Sequence, residues 1–241
     1  MAESRNGSRD DVNRLSDDEI RRDLAARIDH TLLRADATPD DMARICAEAR
    51  SFGFAAVCVN GVNVQTCRKL LVGSGVMVVA VVGFPLGAMR SDVKAFETRQ
   101  AVLDGADEID MVLQLGLLKS GDRAAVIDDI RGVVLAASPC RVKVIIEAGC
   151  LDHDQKVAAC ELARLAGAHF VKTSTGFGPG GATVGDVALM QATVGDALKV
   201  KASGGIRTTA DALKMIGAGA SRIGTSASVA IVTGNIGERG Y

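Results

Sequence analysis

Length, composition and charge exclude several classes of protein. The chain has 241 residues, of which 48% are hydrophobic, and this is enough for one large domain. Aromatic residues make up only 3%, so the core must be built mainly from Val, Ile, Leu and Ala. The formal net charge of -1 gives no electrostatic basis for binding nucleic acid or an anionic membrane.

The six cysteines are scattered, without a C-x-x-C pair. This is not the spacing of a zinc site, and a chain of this length does not need disulfide bonds to fold. Apolar runs stay below the roughly 18 residues that span a bilayer, and the polar start lacks the apolar segment of a signal peptide. We therefore expect a cytoplasmic protein with reduced thiols, no metal and no membrane partner.

In chain order, the polar residues 1–14 come first, and we expect them to form a disordered, mobile tail. Ser16 and Glu19 have the spacing of a capping box, which predicts an extra N-terminal helix. Eight short β-rich runs follow, at residues 27–31, 55–59, 76–82, 108–112, 142–147, 169–173, 198–202 and 221–225.

Amphipathic stretches of helical length lie between these runs, and several begin at a capping residue and end at a glycine. Strands that alternate with helices indicate a parallel sheet. Eight such units without a linker favour a single (β/α)8 TIM barrel over residues 15–241; an open doubly wound sheet is the alternative. In barrels the active site lies at the carboxyl ends of the strands, so polar residues there are the candidates.

Two lysines stand at neighbouring strand ends. Lys172 lies in the sixth run and Lys201 in the seventh, and adjacent strands lie about 4.8 Å apart. Burial and repulsion between two ammonium groups both favour loss of one proton, and a neutral lysine can form an imine with a carbonyl. The alternative is a lysine that reaches water or pairs with an acid. This pair is therefore a route to one nucleophilic lysine, and we expect Lys199 to sit lower in the barrel beside an acid.

Acidic residues interrupt the apolar runs. Asp110 in the fourth run is costly to bury unless it faces a cation. It can exchange protons with the lysines, or form a purely structural ion pair. Asp29 in the first run offers the same alternatives, and we expect it to support Lys201. Lys143 and Glu147 share a face of the fifth run, which predicts a structural charge pair.

Glycine-rich loops follow the seventh and eighth runs. Such loops let backbone N–H groups approach an anion, and barrels often bind phosphate at these two positions. Tight turns would require the same glycines. The residues predicted to bind the phosphate group are Thr175, Gly176, Gly204, Gly205, Arg207, Gly224, Thr225 and Ser226.

A family resemblance rests on eight segments that occur in order across residues 28–226: IDHTLL, VCVN, VVGFPLG, GADEIDMV, KVIIEAG, FVKTSTGF, VKASGGIRT and RIGTS. They resemble the 2-deoxyribose-5-phosphate aldolase family. The resemblance implies a TIM-barrel lyase of class I, which needs no metal or other cofactor. It also implies reversible cleavage of 2-deoxy-D-ribose 5-phosphate to acetaldehyde and D-glyceraldehyde 3-phosphate, in deoxyribonucleotide catabolism.

The resemblance also assigns roles to individual residues. It implies that Lys172 forms the Schiff base, that Lys201 perturbs it and joins a proton relay, and that Asp110 is the acid of that relay. Asp29 matches a position near Lys201 on the substrate-binding side. Gly204, Gly205, Gly224 and Ser226 fall on the phosphate-binding segments of the family.

Three further positions bear on the resemblance to the family. Tyr241, the last residue and the sole tyrosine, matches a terminal tyrosine that assists proton transfer in some members; a tail without a role is the alternative. Phe177 stands where some members have a second lysine, so phosphate binding must rely on backbone amides and Arg207. Cys58 matches a thiol near the pocket, to which we assign no catalytic role.

Two other functions remain open at this point. One is another phosphate-binding barrel, such as a sugar-phosphate isomerase or a different Schiff-base aldolase. The other is a barrel that binds a sugar phosphate without chemistry, since one fold hosts many activities. A reducible imine distinguishes them. We also expect a homo-oligomer, either a dimer or a tetramer.

Overall fold

The chain folds into a closed barrel of eight parallel strands, in a computed structural model that describes residues 17–237. Each strand pairs with the next along the chain, and the last pairs with the first. This confirms the predicted (β/α)8 barrel over the open sheet. The strands are β1 Ile28–Leu32, β2 Ala56–Val59, β3 Met77–Val82, β4 Glu108–Val112, β5 Arg141–Ile145, β6 Phe170–Lys172, β7 Lys199–Ser203 and β8 Arg222–Thr225.

Every predicted β-rich run overlaps one of these strands, because buried parallel strands need continuous branched apolar residues. The largest difference is in β5, which was expected to continue to Glu147. Glu147 instead has a φ of 51°, in the left-handed region. This conformation ends the extended backbone and leads into a short 3-10 helix, Ala148–Cys150.

Helices surround the barrel. The second helix shows why they form where the sequence predicts them: Thr38 and Asp41 form a capping box, Pro39 opens the helix, and Gly53 ends it with a φ of 67°. The helices are α1 Asp17–Ala25, α2 Pro39–Phe52, α3 Val64–Leu70, α4 Ser91–Leu103, α5 Leu115–Lys119, α6 Arg123–Ala137, α7 His153–Leu165, α8 Val184–Val194, α9 Thr209–Gly217 and α10 Ser228–Thr233.

Helix α1 is the predicted extra N-terminal helix, and it packs against α10. Ser16, the expected tail over residues 1–14 and Tyr241 lie outside the described residues. Within the described part of the chain, every helix is too short or too polar to cross a bilayer.

The barrel interior has two unlike halves. Small apolar side chains, Ala56, Cys58, Val79 and Val81, line the side formed by β2 and β3. The rest of the interior carries charged side chains, all buried. Buried charges of this number require partners, so the barrel places them in contact with one another.

Candidate active site

A cluster of buried ionisable side chains fills the charged half of the barrel. Its members come from six strands, and they are Asp29, Glu108, Asp110, Lys143, Lys172, Lys201 and Arg222. Because each residue lies on a strand, its position is fixed by the register of the sheet. Lys172 and Lys201 are direct neighbours in that register, as the sequence predicts.

Asp110 lies at the centre of the cluster and contacts three lysines. Its Oδ2 atom is 2.8 Å from the Nζ of Lys172 and 2.8 Å from the Nζ of Lys201. Its Oδ1 atom accepts a hydrogen bond of 2.9 Å from Lys143. A single carboxylate oxygen thus joins the two lysines that the sequence singles out.

The other two carboxylates of the cluster contact Lys201 and Lys143, two of the lysines that surround Asp110. Lys201 also donates a very short hydrogen bond to Asp29, whose other oxygen accepts from Arg222 at 2.7 Å. Lys143 lies 2.6 Å from Glu108, which Arg222 also contacts, at 3.3 Å. Asp29 is therefore a support for Lys201, as expected from its position in the first strand.

The charges in the cluster stabilise one another. Burial by itself would raise the pKa of Asp110, but the three lysines around it hold that pKa well below 3.8. Burial likewise opposes ionisation of Asp29, yet Lys201 and Lys143 bring its pKa to about 2. Burial would lower the pKa of Lys201, and here Asp110 and Asp29 outweigh it, so that the pKa is raised and the ammonium form persists.

Lys143 and Arg222 behave in the same way. Burial disfavours their charged forms, but nearby carboxylates raise the pKa of each above its ordinary value. The cluster has four basic groups and three carboxylates, so full ionisation would leave one surplus positive charge inside the barrel. Since a buried uncompensated charge is costly, the arrangement favours one neutral lysine. Lys172 has one carboxylate contact, to an oxygen that it shares with Lys201.

A cavity of about 440 Å³ opens beside the cluster, at the carboxyl ends of β6, β7 and β8. Of the predicted phosphate-binding residues, it is lined by Gly176, Gly204, Gly205, Arg207, Gly224, Thr225 and Ser226. The lining adds Gly178, Gly180, Gly181 and Ile206. Arg207 is the one basic side chain among these lining residues.

Glycine is needed at these positions for two physical reasons. Gly204 and Gly205 have φ values of 93° and 77°, where other residues are strained. Gly224 is needed for close approach, because a Cβ there would lie 2.3 Å from the Ser203 Oγ and 2.8 Å from the Lys201 Cε. Gly224 therefore lies between the cavity and the lysine cluster.

Two predicted substrate-binding residues do not line the cavity. Thr175 is buried, and its hydroxyl donates to Glu147 and accepts from the backbone N–H of Phe177. These hydrogen bonds stabilise the loop, and a substrate contact by Thr175 stays a prediction. Asp29 is fully buried under Lys201 and pairs in register with Gly224, but it is not itself part of the lining, so its grouping with the substrate-binding residues stays a prediction.

Glu147 is the functional residue whose role the sequence analysis missed. It does not pair with Lys143, because its left-handed backbone turns it out of the strand. Its carboxylate instead accepts from the backbone N–H and the hydroxyl of Thr175, and lies against Gly178. Glu147 therefore anchors the loop that forms one wall of the cavity. Its position within the apparent strand concealed this, and the following Ala-Gly pair was the available signal.

Lys199 lies lower in the barrel than Lys201, as expected, but without the expected acidic partner. It lies at the opposite, amino-terminal end of β7, and its side chain is exposed. It makes no ion pair within residues 17–237, so the predicted acidic partner is wrong. The reason is that the buried part of the barrel begins above Lys199, and the next residue on the same face, Lys201, is the first one inside it.

Two further predicted positions take defined places. Phe177 packs edge-on against Phe84 with ring centroids 5.3 Å apart, which joins the loop after β6 to the loop after β3. Cys58 faces the cluster from β2, and burial raises the pKa of its thiol. Among residues 17–237, no three or more His, Cys, Asp or Glu side chains are arranged to hold a metal ion.

Known proteins are similar to this chain in sequence and in architecture. Residues 24–236 match the family model described as DeoC/LacD family aldolase. A deoxyribose-phosphate aldolase of Alkaliphilus oremlandii is 58% identical over 87% of this chain and 95% of its own length. One of Streptococcus pneumoniae serotype 19F is 57% identical over 89% of this chain and 97% of its own.

Solved structures agree. A putative deoxyribose-phosphate aldolase from Coccidioides immitis superposes with a TM-score of 0.87 at 44% identity, covering 88% of this chain and 85% of its own. The deoxyribose phosphate aldolase of Aeropyrum pernix, described as a unique tetramer, gives a TM-score of 0.83 at 38% identity, covering 88% and 91%.

Proposed function

This chain belongs to the DeoC/LacD family of aldolases, and we propose that it uses Lys172 as a Schiff-base nucleophile. Its reaction is the reversible cleavage of 2-deoxy-D-ribose 5-phosphate to acetaldehyde and D-glyceraldehyde 3-phosphate. The observation that carries the assignment is Asp110, which Lys172 shares with Lys201 at 2.8 Å each, inside a cluster with one surplus basic group.

Formation of the imine requires a neutral amine. Lys201 is held as a cation by two carboxylates, so Lys172 is the lysine that releases its proton. Its Nζ attacks C1 of the open-chain aldehyde, and water leaves. The resulting protonated imine accepts an electron pair when the C2–C3 bond breaks.

Cleavage requires removal of the proton from the C3 hydroxyl. Asp110 and Lys201, with a water molecule, form the relay that takes up this proton. The C3 oxygen becomes the aldehyde of glyceraldehyde 3-phosphate, and the bond electrons form the enamine of acetaldehyde on Lys172. Protonation of the enamine carbon and hydrolysis then release acetaldehyde and restore the amine.

The glycine-lined cavity holds the phosphate end. Backbone N–H groups at Gly204, Gly205 and Ser226 and the guanidinium of Arg207 supply the donors and the positive charge. Binding at this end fixes the distance between the phosphate and the reacting carbon, which contributes orientation to catalysis. The site therefore favours an aldehyde that carries an anionic group at its far end. Gly176 lines the same cavity.

We propose two further properties. The chain forms a homodimer or homotetramer; support comes from the tetrameric aldolase of Aeropyrum pernix, and sedimentation measures the state directly. It works in the cytoplasm, in deoxyribonucleotide catabolism; support comes from its six cysteines, all free thiols. Tyr241 as a terminal proton-transfer group stays a prediction from the sequence.

Trapping of the imine tests the assignment. The protein is incubated with acetaldehyde, reduced with sodium borohydride and digested, and the peptides are mapped by mass spectrometry. We expect a reduced two-carbon adduct on Lys172 and loss of activity in proportion to labelling.

Two other outcomes would contradict the assignment. An adduct on Lys201 would retain the reaction class and reverse the two lysine roles. Absence of any adduct, with deoxyribose 5-phosphate still bound, would favour a sugar-phosphate isomerase or a binding protein, neither of which requires an imine.

A further inference from the structure

The hydroxyl of Ser203 is buried without a partner. Its Oγ atom has no hydrogen bond within the described part of the chain, although the residue is only 4% exposed. The backbone of Ser203 is satisfied, because its N–H donates to the Thr173 hydroxyl and its carbonyl accepts from the same group. A buried hydroxyl without a partner costs free energy, so this one is placed to meet a group that arrives with a ligand.

The hydroxyl lies between the lysine cluster and the cavity. A Cβ added at Gly224 would come within 2.3 Å of the Ser203 Oγ and 2.8 Å of the Lys201 Cε, so both atoms lie against Gly224. Gly224 itself lines the cavity. Any ligand that reaches from the cavity to the lysines therefore passes Ser203.

The order of residues along β7 identifies the ligand group. Lys201 acts at C3, and Gly204 and Gly205 hold the phosphate on C5; Ser203 stands between them. Ser203 follows Lys201 by two residues on the same face of the strand, so it lies nearer the phosphate end of the substrate than Lys201 does. Between C3 and the phosphate on C5, the substrate carries one hydroxyl group, on C4.

We infer that the Ser203 hydroxyl hydrogen-bonds the C4 hydroxyl of the substrate, which becomes the C2 hydroxyl of glyceraldehyde 3-phosphate. Ser203 is thus a specificity-determining residue that favours hydroxylated aldehyde phosphates over otherwise identical aldehydes that lack the hydroxyl. The inference rests on the proposed function, because it takes the orientation of the substrate from the Schiff base and the phosphate site.

Ser174, the other buried hydroxyl without a partner in residues 17–237, occupies a different place. It follows Lys172 by two residues, and its Cβ lies 3.5 Å from the position of a Cβ on Gly204. Ser174 therefore lies against Gly204 rather than against Gly224. The assignment is made to Ser203 because only its hydroxyl is placed beside both Lys201 and Gly224.

The test uses the reaction in the direction of synthesis, with acetaldehyde as the donor. Two acceptors are compared: D-glyceraldehyde 3-phosphate, and 3-phosphooxypropanal, which lacks only the C2 hydroxyl. For Ser203→Ala we expect kcat/KM to fall about tenfold with the first acceptor and to stay unchanged with the second, because a single hydrogen bond is lost with the first alone.

Ser221→Ala is the matched control. Its hydroxyl bonds the Val200 carbonyl at the amino-terminal end of the barrel, so neither acceptor should respond. An equal loss with both acceptors for Ser203→Ala would show a packing role, and no loss would show that water alone satisfies the hydroxyl; either result overturns the inference. An unmodified protein that does not cleave deoxyribose 5-phosphate would refute the proposed function itself, and with it this inference.

Discussion

Two buried lysine–aspartate contacts of nearly equal length lie in different parts of the molecule. Lys94 on α4 contacts Asp129 on α6 at 2.7 Å, between the helices that pack outside the barrel. Lys172 contacts Asp110 at 2.8 Å inside it. By burial, chemistry and distance the two pairs look alike.

Their surroundings differ. Each member of the pair on the helices has a further partner in the protein. Lys94 also donates to the Val112 carbonyl, and Asp129 also accepts from the Ser91 hydroxyl. Burial lowers the pKa of Lys94, and neither Lys94 nor Asp129 lies against the glycine-lined cavity. Asp110, in contrast, contacts three lysines, and one of them, Lys201, lies against Gly224 in the lining of that cavity. A buried ion pair becomes a candidate reactive site when its charges do not balance and a ligand can reach it.

The largest expected effect separates the two pairs by activity. Lys172→Met should lower kcat by about four orders of magnitude or more, because it removes the nucleophile. Its free energy of unfolding should change by less than about 1 kcal/mol, since the proposed mechanism requires a neutral amine at this position and methionine is an apolar chain of similar length. Steady-state kinetics and urea unfolding give the two values. Retained turnover would refute the Schiff-base role, and a large loss of stability would show that Lys172 is charged in the resting protein.

Much of this organisation could be predicted from the sequence. The alternation of branched apolar runs with amphipathic stretches is enough to predict the barrel, because parallel strands are buried on both faces. Lys172, Lys201 and Asp110 could be found because a charged residue within such a run needs a partner. The neighbouring positions of Lys172 and Lys201 followed from their consecutive strands, whereas the contact of both with Asp110 on β4 needed the closed barrel.

Other features depend on contacts that no local pattern contains. Glu147 continues an apolar run, and only its left-handed backbone places its carboxylate on Thr175. Lys199 has the same spacing from Lys201 as an interior residue, but the strand begins there, at the solvent. Lys94 and Asp129 are 35 residues apart in sequence and lie on different helices, and nothing in either amphipathic pattern indicates that they pair.

The second effect concerns the pair on the helices. Lys94→Met should lower the free energy of unfolding by about 3–5 kcal/mol, because Asp129 remains buried without its cation. The kcat of the folded variant should match the unmodified protein. Guanidinium unfolding and a rate corrected for the folded fraction measure both quantities.

The double variant Lys94→Met/Asp129→Leu provides the control for that effect. It removes both charges together, so it should regain most of the lost stability. If Lys94→Met instead abolished turnover while leaving unfolding unchanged, the helix pair would belong to the catalytic machinery and the contrast between the two pairs would fail.

The smallest expected effect is on the free energy of unfolding at acidic pH. Burial by itself would raise the pKa of Asp29, but Lys201 and Lys143 bring it to about 2, below the ordinary value of 3.8. Because the pKa is depressed on folding, ionised Asp29 stabilises the protein above about pH 4, and this contribution is lost as the pH falls from about 4 to about 2. Its size is on the order of 2 kcal/mol. Urea unfolding between pH 5 and pH 2.5 measures it.

Asp29→Asn should be less stable than the unmodified protein at pH 5, with a shallower decline below pH 4. Asp154→Asn, at the exposed start of α7, should keep the original decline. An unchanged slope in Asp29→Asn would mean that the acid sensitivity arises outside the barrel cluster. A shallower slope would show that the network which holds Lys201 as a cation at neutral pH also sets the acid limit of the fold.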